Sequence, residues 1–165
     1  MKEQDGISMI ILIIAIVVIM IVVAVIANYA QIMMKEKEFQ DLRTNMLFIQ
    51  AETKKGLEAV CFQIANLDIN KADDAAKIND VKKENLKGIP LKGSEVEESM
   101  PSDIEVNENF YYLDESTLNE IGVKDFDSNK YGFLVVKYDF TNANVEVIIT
   151  KGYEGKYTLT QLIEE

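Results

Sequence analysis

The sequence predicts an α+β protein in which one long N-terminal helix, half of it membrane-spanning and half amphipathic, packs on a small antiparallel β-sheet head. Three observations predict this. Ile7 to Ala27 is an apolar run of 21 residues without a charge, a Gly or a Pro. Beyond it, apolar residues recur every three or four positions as far as Leu67. Near the C-terminus, two segments rich in β-branched and aromatic residues flank Thr141-Asn142-Ala143-Asn144. The expected divisions are a leader over 1–6, a transmembrane helix over 7–29 and an amphipathic spine helix over 30–67. A small acidic head fills 68–165, and its 68–109 segment reads as rich in loops.

The apolar run carries one hydroxyl, Ser8. As a helix it measures about 31 Å, against a hydrocarbon core of roughly 30 Å. Lipid offers no partner to backbone N–H and C=O groups, so a lone segment of this kind must be helical there, β-branched Ile and Val included. The alternative, a buried core helix, needs a large surrounding protein, and the 138 residues after Ala27 are too few to enclose it. Membrane lipid is therefore the first expected partner, and a single-pass location in the cell membrane follows.

The helix is expected to continue. After Asn28 the next Gly is Gly56 and the next Pro is Pro90. Phe39, Leu42, Met46 and Ile49, then, past polar Thr53, Leu57, Val60, Ile64 and Leu67 trace one stripe of a helix, with the charges mostly off it. Gly56 costs about 1 kcal/mol relative to Ala in a helix interior and is the expected bend.

The remaining 98 residues suffice for one compact domain. They hold 11 Lys or Arg against 21 Asp or Glu, which places nearly all of the chain's net charge of −11 in the head. Such a surface repels nucleic acid and anionic headgroups, so neither is an expected partner; it also keeps a domain soluble, the plainer reading. Cys61 is the sole cysteine, which excludes an intrachain disulfide. Its place beside the stripe fits a small buried hydrophobe better than a redox group.

Within the head, Asp68 to Ser102 is polar, with Lys71–Lys77 at best a short surface helix and Gly88, Pro90, Gly93 and Pro101 breaking the rest into loop. Glu95-Val96-Glu97-Glu98 reads as a solvated loop before it reads as a binding tract. Phe110–Leu113 reads as a strand. Asp114 caps a short helix over Ser116–Ile121 that Gly122 ends. Gly132–Phe140 and Val145–Lys151 form a hairpin around a four-residue loop. Alternation puts Leu134, Val136, Tyr138 and Phe140 on its apolar face, expected against Leu57, Val60 and Ile64 of the spine. Phe133, Val135, Lys137 and Asp139 take the other face.

Catalytic chemistry is nearly excluded by residue types. The chain has no His, which removes the usual general base, the common zinc ligand and every Ser-His triad. It has no Gly-rich phosphate loop, no GxSxG elbow and no CxxC. No cofactor is expected. One constellation offers alternate oxygen ligands as Ca²⁺ loops do: Asp125, Asp127 and Asn129. Lys130 replaces the sixth-position Gly and Val136 the closing Glu, so an ordinary turn is the expected reading and calcium the minor one.

The N-terminus carries a resemblance. MKEQDG, ending in Gly6, followed by Ile7-Ser8-Met9-Ile10 and the rest of the apolar run, then by a long amphipathic helix, resembles type IV pilins and pseudopilins. The resemblance is closest to the pilin-like proteins of clostridia and related Gram-positive bacteria. The tail, with FYYLDESTLNEIGV, YGFLVVKYDF, VEVIITKGY and YTLTQL, is similar to theirs in pattern. The resemblance implies a pilin-like fold, cleavage by a prepilin peptidase after Gly6, a mature N-terminus at Ile7, and other pilin-like subunits as partners through the helix. It also implies an extracellular head, in a surface filament or a secretion- or competence-type pseudopilus. Two features depart from the pattern. Ile11 stands where those proteins carry a Glu, and the leader is acidic, which points to a minor or tip subunit, or one that stays in the membrane, before a main-shaft subunit. Charge placement, Lys2 before the span against Lys35, Lys37 and Arg43 after it, weakly favours the opposite orientation. Two function classes thus stand: a non-enzymatic assembly subunit, and a single-pass anchored extracellular binding or sensor domain that forms no filament.

Overall fold

The computed structural model describes residues 9–68 and 70–164. The chain divides into two compact units, Met1–Asp41 and Leu42–Glu165. The described part of the first is helical throughout. Its helix, α1, runs over Met9–Ile64 and so contributes its residues from Leu42 onward to the second unit. The second unit holds α2 (Ala72–Asn85), β1 (Ile89–Pro90), a 3-10 turn (Glu97–Ser99), β2 (Phe110–Leu113), α3 (Glu115–Ile121), α4 (Ser128–Tyr131), β3 (Leu134–Asp139), β4 (Asn144–Tyr153), β5 (Lys156–Thr158) and α5 (Leu159–Ile163). The five strands form one antiparallel sheet in chain order, so each strand pairs with its sequence neighbours and an α+β class results.

The helical stripe is the spine of this unit's core. Leu42, Met46, Ile49, Leu57 and Val60 are buried, and so is Thr53 between them. The Thr53 hydroxyl donates to the Ile49 carbonyl at 2.7 Å, so this polar group enters the core without an unmet hydrogen bond. Gln50 Nε2 donates to the Val145 carbonyl at 2.6 Å, and Cys61 Sγ lies 3.8 Å from the Phe140 carbonyl as a weak donor. These two contacts lay α1 along the β3–β4 hairpin. Facing it, Leu134, Val136 and Tyr138 are buried, as are their register partners Ile149, Val147 and Val145.

Three features differ from the sequence expectation. Helix α1 ends at Ile64, and Leu67 follows in a turn with its N–H on the Ile64 carbonyl at 2.9 Å. Helix α1 continues through Gly56, and what the sequence does not reveal there is a close neighbour: a Cβ at this position would lie 2.2 Å from the Asn85 carbonyl oxygen. Gly56 is therefore the gap that lets the end of α2 approach α1, a packing role that a propensity argument does not see. Finally, α2 is a 14-residue helix where a short surface helix is expected, and Ile78 is its buried residue.

The sheet is covered on both faces. Opposite α1, Leu91, Val96, Phe110, Val135 and Ile148 form a buried cluster, with Met100, Ile104, Val106, Tyr112 and Tyr157 packed on it. The stretch between β1 and β2, expected to be open loop, thus supplies a second hydrophobic layer. Val135 belongs to the face that alternation makes the mixed one, and it is fully buried.

The local signals hold where they are strongest. Asp114 caps α3 by accepting from the Thr117 N–H at 2.9 Å, and Gly122 ends that helix at φ 102° with its N–H turned back to Leu118 and Asn119. The hairpin turn occupies Phe140–Ala143, one residue earlier than expected, because Asn144 pairs with Asp139. Asp139 Oδ1 accepts from the N–H groups of Thr141 and Asn142 and so holds the turn. At the end of the chain, a capping box between Thr158 and Gln161 starts α5.

Candidate functional site

The prominent chemical feature of the described chain is the outer surface of α1 in the first unit. From Leu12 to Met34 its large apolar side chains are 45–66% exposed. Its most apolar 18-residue window has a mean hydropathy of 3.0, and none of it is buried. Soluble proteins leave contiguous apolar patches of at most a few hundred Å² in water, and burial of such surface is favourable by about 25 cal/mol per Å². This helix is long and apolar enough to cross a membrane.

The residues tied to processing, Gly6 and Ile7, lie outside the described residues. Ile11 is a backbone position within α1.

The three calcium candidates are used locally. Asp125 takes a positive φ of 50°, Asp127 caps α4 by accepting from the Lys130 N–H at 3.1 Å, and the Asn129 carbonyl accepts from Lys151 Nζ at 2.8 Å. Only Asp125 of the three faces the groove between β2, α3 and the start of β3. That groove has a volume of about 680 Å³, and Tyr112, Leu118, Asn119, Phe126 and Phe133 are among its walls. Among the described residues, no group of three or more His, Cys, Asp or Glu is arranged to hold a metal ion. Sequence reasoning does not find this groove. Its walls come from residues 112–134, which only the meander of the sheet brings together.

Perturbed ionisation in the head has structural causes. Hydrogen bonds from Thr117 hold the Asp114 carboxyl below its usual range, and those from Asn142 do the same for Asp139. Burial pushes the phenols of Tyr138 and Tyr111 up. The Tyr138 hydroxyl donates to the Lys87 carbonyl at 2.8 Å and accepts from the Lys87 N–H at 3.1 Å, fastening the chain after α2 to β3. Burial also raises the Cys61 thiol, which lowers its thiolate fraction and with it its nucleophilicity. Each of these groups serves a turn, a cap or the core, and none pairs a nucleophile with a base.

No model of a known protein family, no curated protein and no solved structure matches the chain.

Proposed function

We propose that the chain is a membrane-anchored assembly subunit of the type IV pilin or pseudopilin kind, held by the apolar part of α1 and carrying an extracellular head. The observation behind this reading is the run of large apolar side chains from Leu12 to Met34, broken only by Asn28, Gln31 and small alanines, left exposed on a helix whose later residues enter the core of a small acidic domain. A surface of that kind is satisfied by acyl chains or by other apolar helices, and both are available to a subunit that passes from a membrane pool into a fibre. Ile11 in place of the usual acidic residue fits a minor or tip subunit. The role is structural and needs no catalytic group.

Mass spectrometry of the chain recovered from its own membrane fraction tests the proposal. A chain that begins at a methylated Ile7 supports it, and an intact Met1 removes the pilin mechanism.

A second reading has its own support in the groove beside α3. There aromatic and apolar walls stand next to Asp114, Glu115 and Asp125, the mixture typical of a ligand pocket. On that reading the chain is a single-pass anchored binding or sensor domain that forms no filament. Protease shaving of intact cells tests the shared orientation, since a protected head contradicts both readings. Recovery of the chain in sheared surface fibres favours the first over the second.

A further inference from the structure

The groove beside α3 combines surplus negative charge with braced aromatic rings. Asp114, Glu115 and Asp125 line it against one cation, Lys124. Asp114 is engaged, since its carboxylate accepts from the Ser116 hydroxyl and from the N–H and hydroxyl of Thr117. Glu115 and Asp125 are exposed, and among the described residues their carboxylates make no hydrogen bond or ion pair. Two of the aromatic walls are held in place. The Phe133 N–H donates to Thr150 Oγ1 at 2.9 Å and its carbonyl accepts from the Thr150 N–H at 3.0 Å, yet its ring stays 44% exposed. Phe126 leans on buried Tyr131, with ring centroids 5.8 Å apart. Tyr112, Leu118 and Val123 add apolar surface, and the volume of about 680 Å³ falls within the roughly 300–1,000 Å³ of small-molecule sites.

We propose that the groove binds a small organic ammonium ion with an apolar body, its charge met by Glu115 and Asp125 and its body laid on Phe126 and Phe133. Charge complementarity selects this occupant. An anion would face three carboxylates, and a neutral apolar molecule would leave them unanswered. A cation gains both from the carboxylates and from the negative faces of the rings. The head's excess of acidic over basic residues also draws cations toward it. A bare metal ion fits less well. Among the described residues no three acidic groups are arranged to hold one, and it would leave the aromatic walls unused. Because Thr150 and Tyr131 already fix the two rings, little ordering is lost when a ligand enters. This proposal rests on the second reading above, in which the groove is a ligand pocket, and adds the chemical class of the ligand.

The test titrates the full-length chain, held in phosphatidylcholine nanodiscs, with three probes that share one ring and differ in charge: benzyltrimethylammonium, benzyl alcohol and phenylacetate. Backbone amide resonances of Leu118, Gly132 and Phe133 report on the groove. The cation is expected to shift them saturably, and the other two probes are expected to leave them in place. Glu115→Gln with Asp125→Asn removes both unengaged charges and is expected to weaken binding of the cation about tenfold. Both side chains are exposed and Asn accepts the positive φ of Asp125, so the unfolding midpoint is expected to stay at the wild-type value. Phe133→Leu keeps an apolar wall without the ring and is expected to weaken the cation about threefold. Equal responses to all three probes, or binding of the cation unmoved by the double substitution, overturn the ammonium ligand and leave the groove as a pocket for another one. Groove amides that respond to none of the three overturn the ligand-pocket reading as well.

Discussion

Replacing Gly56 by Ala sets two physical effects against each other. In an exposed helix the substitution stabilises by about 1 kcal/mol, because Gly loses more backbone freedom on folding. Here the added methyl would lie 2.2 Å from the Asn85 carbonyl oxygen and 3.2 Å from its carbon. Those are backbone atoms at the end of α2, so they cannot swing aside as a side chain does. A gap of about 1 Å must open, and overpacking of this kind costs about 1–3 kcal/mol. The shift also reaches buried Leu86 and the Lys87 backbone clamped by Tyr138. The expected net effect is a loss of about 1–2 kcal/mol, which at roughly 2–4 °C per kcal/mol lowers Tm by several degrees. Thermal and urea unfolding of the full chain in detergent micelles, followed by near-ultraviolet circular dichroism of its seven tyrosines, measures it. A variant as stable as the wild type, or more so, would refute the close approach of α2 to α1 and restore Gly56 as a mere weak point in the helix.

Other substitutions test the remaining layers. Leu91→Ala, in the cluster on the outer face of the sheet, is expected to cost about 2–5 kcal/mol; a urea midpoint within error of wild type would mean that this layer is not a core. Tyr138→Phe leaves the Lys87 N–H and carbonyl without their side-chain partner and is expected to cost about 1–3 kcal/mol by the same measurement. Because burial raises the Tyr138 pKa above its ordinary 10.0, the folded state keeps this proton more tightly than the unfolded state. Its contribution is therefore complete below about pH 10 and lost as pH rises beyond it. Alkaline unfolding curves of wild type are expected to steepen above that point, and those of Tyr138→Phe to steepen less. Asp114→Ala removes the cap of α3 and is expected to cost about 1 kcal/mol, with Asp114→Asn largely restoring it; equal losses in the two variants would argue against capping.

What the sequence discloses depends on whether an element leaves a period or a cap. The α1 stripe from Leu42 to Val60 is readable because every third or fourth residue meets the sheet, and α3 because Asp114 and Gly122 mark its ends. The β3–β4 hairpin is readable from its β-branched runs, although the turn starts one residue early. Helix α2 is hidden because ADDAAKINDVKKEN is polar almost all round and buries only Ile78, so it shows no apolar stripe to follow. The layer over the outer face is hidden for a related reason. Leu91, Val96, Met100, Ile104 and Val106 lie in irregular backbone broken by Gly93 and Pro101, and their contacts are set by the fold around them. Thr53 looks like a gap in the stripe until its hydroxyl is found bonded to the turn before it. Of the functional readings, the apolar segment is explicit in the residues themselves, while the groove beside α3 depends on chain segments that only folding assembles.

The sheet ends in two very short strands. β1 offers two residues, one of them Pro90, and β5 offers three. These two edge strands thus present little backbone of their own for another molecule's strand to zip onto. On the proposed reading, in which many copies share one membrane, edges this short let the heads crowd together without pairing strand to strand.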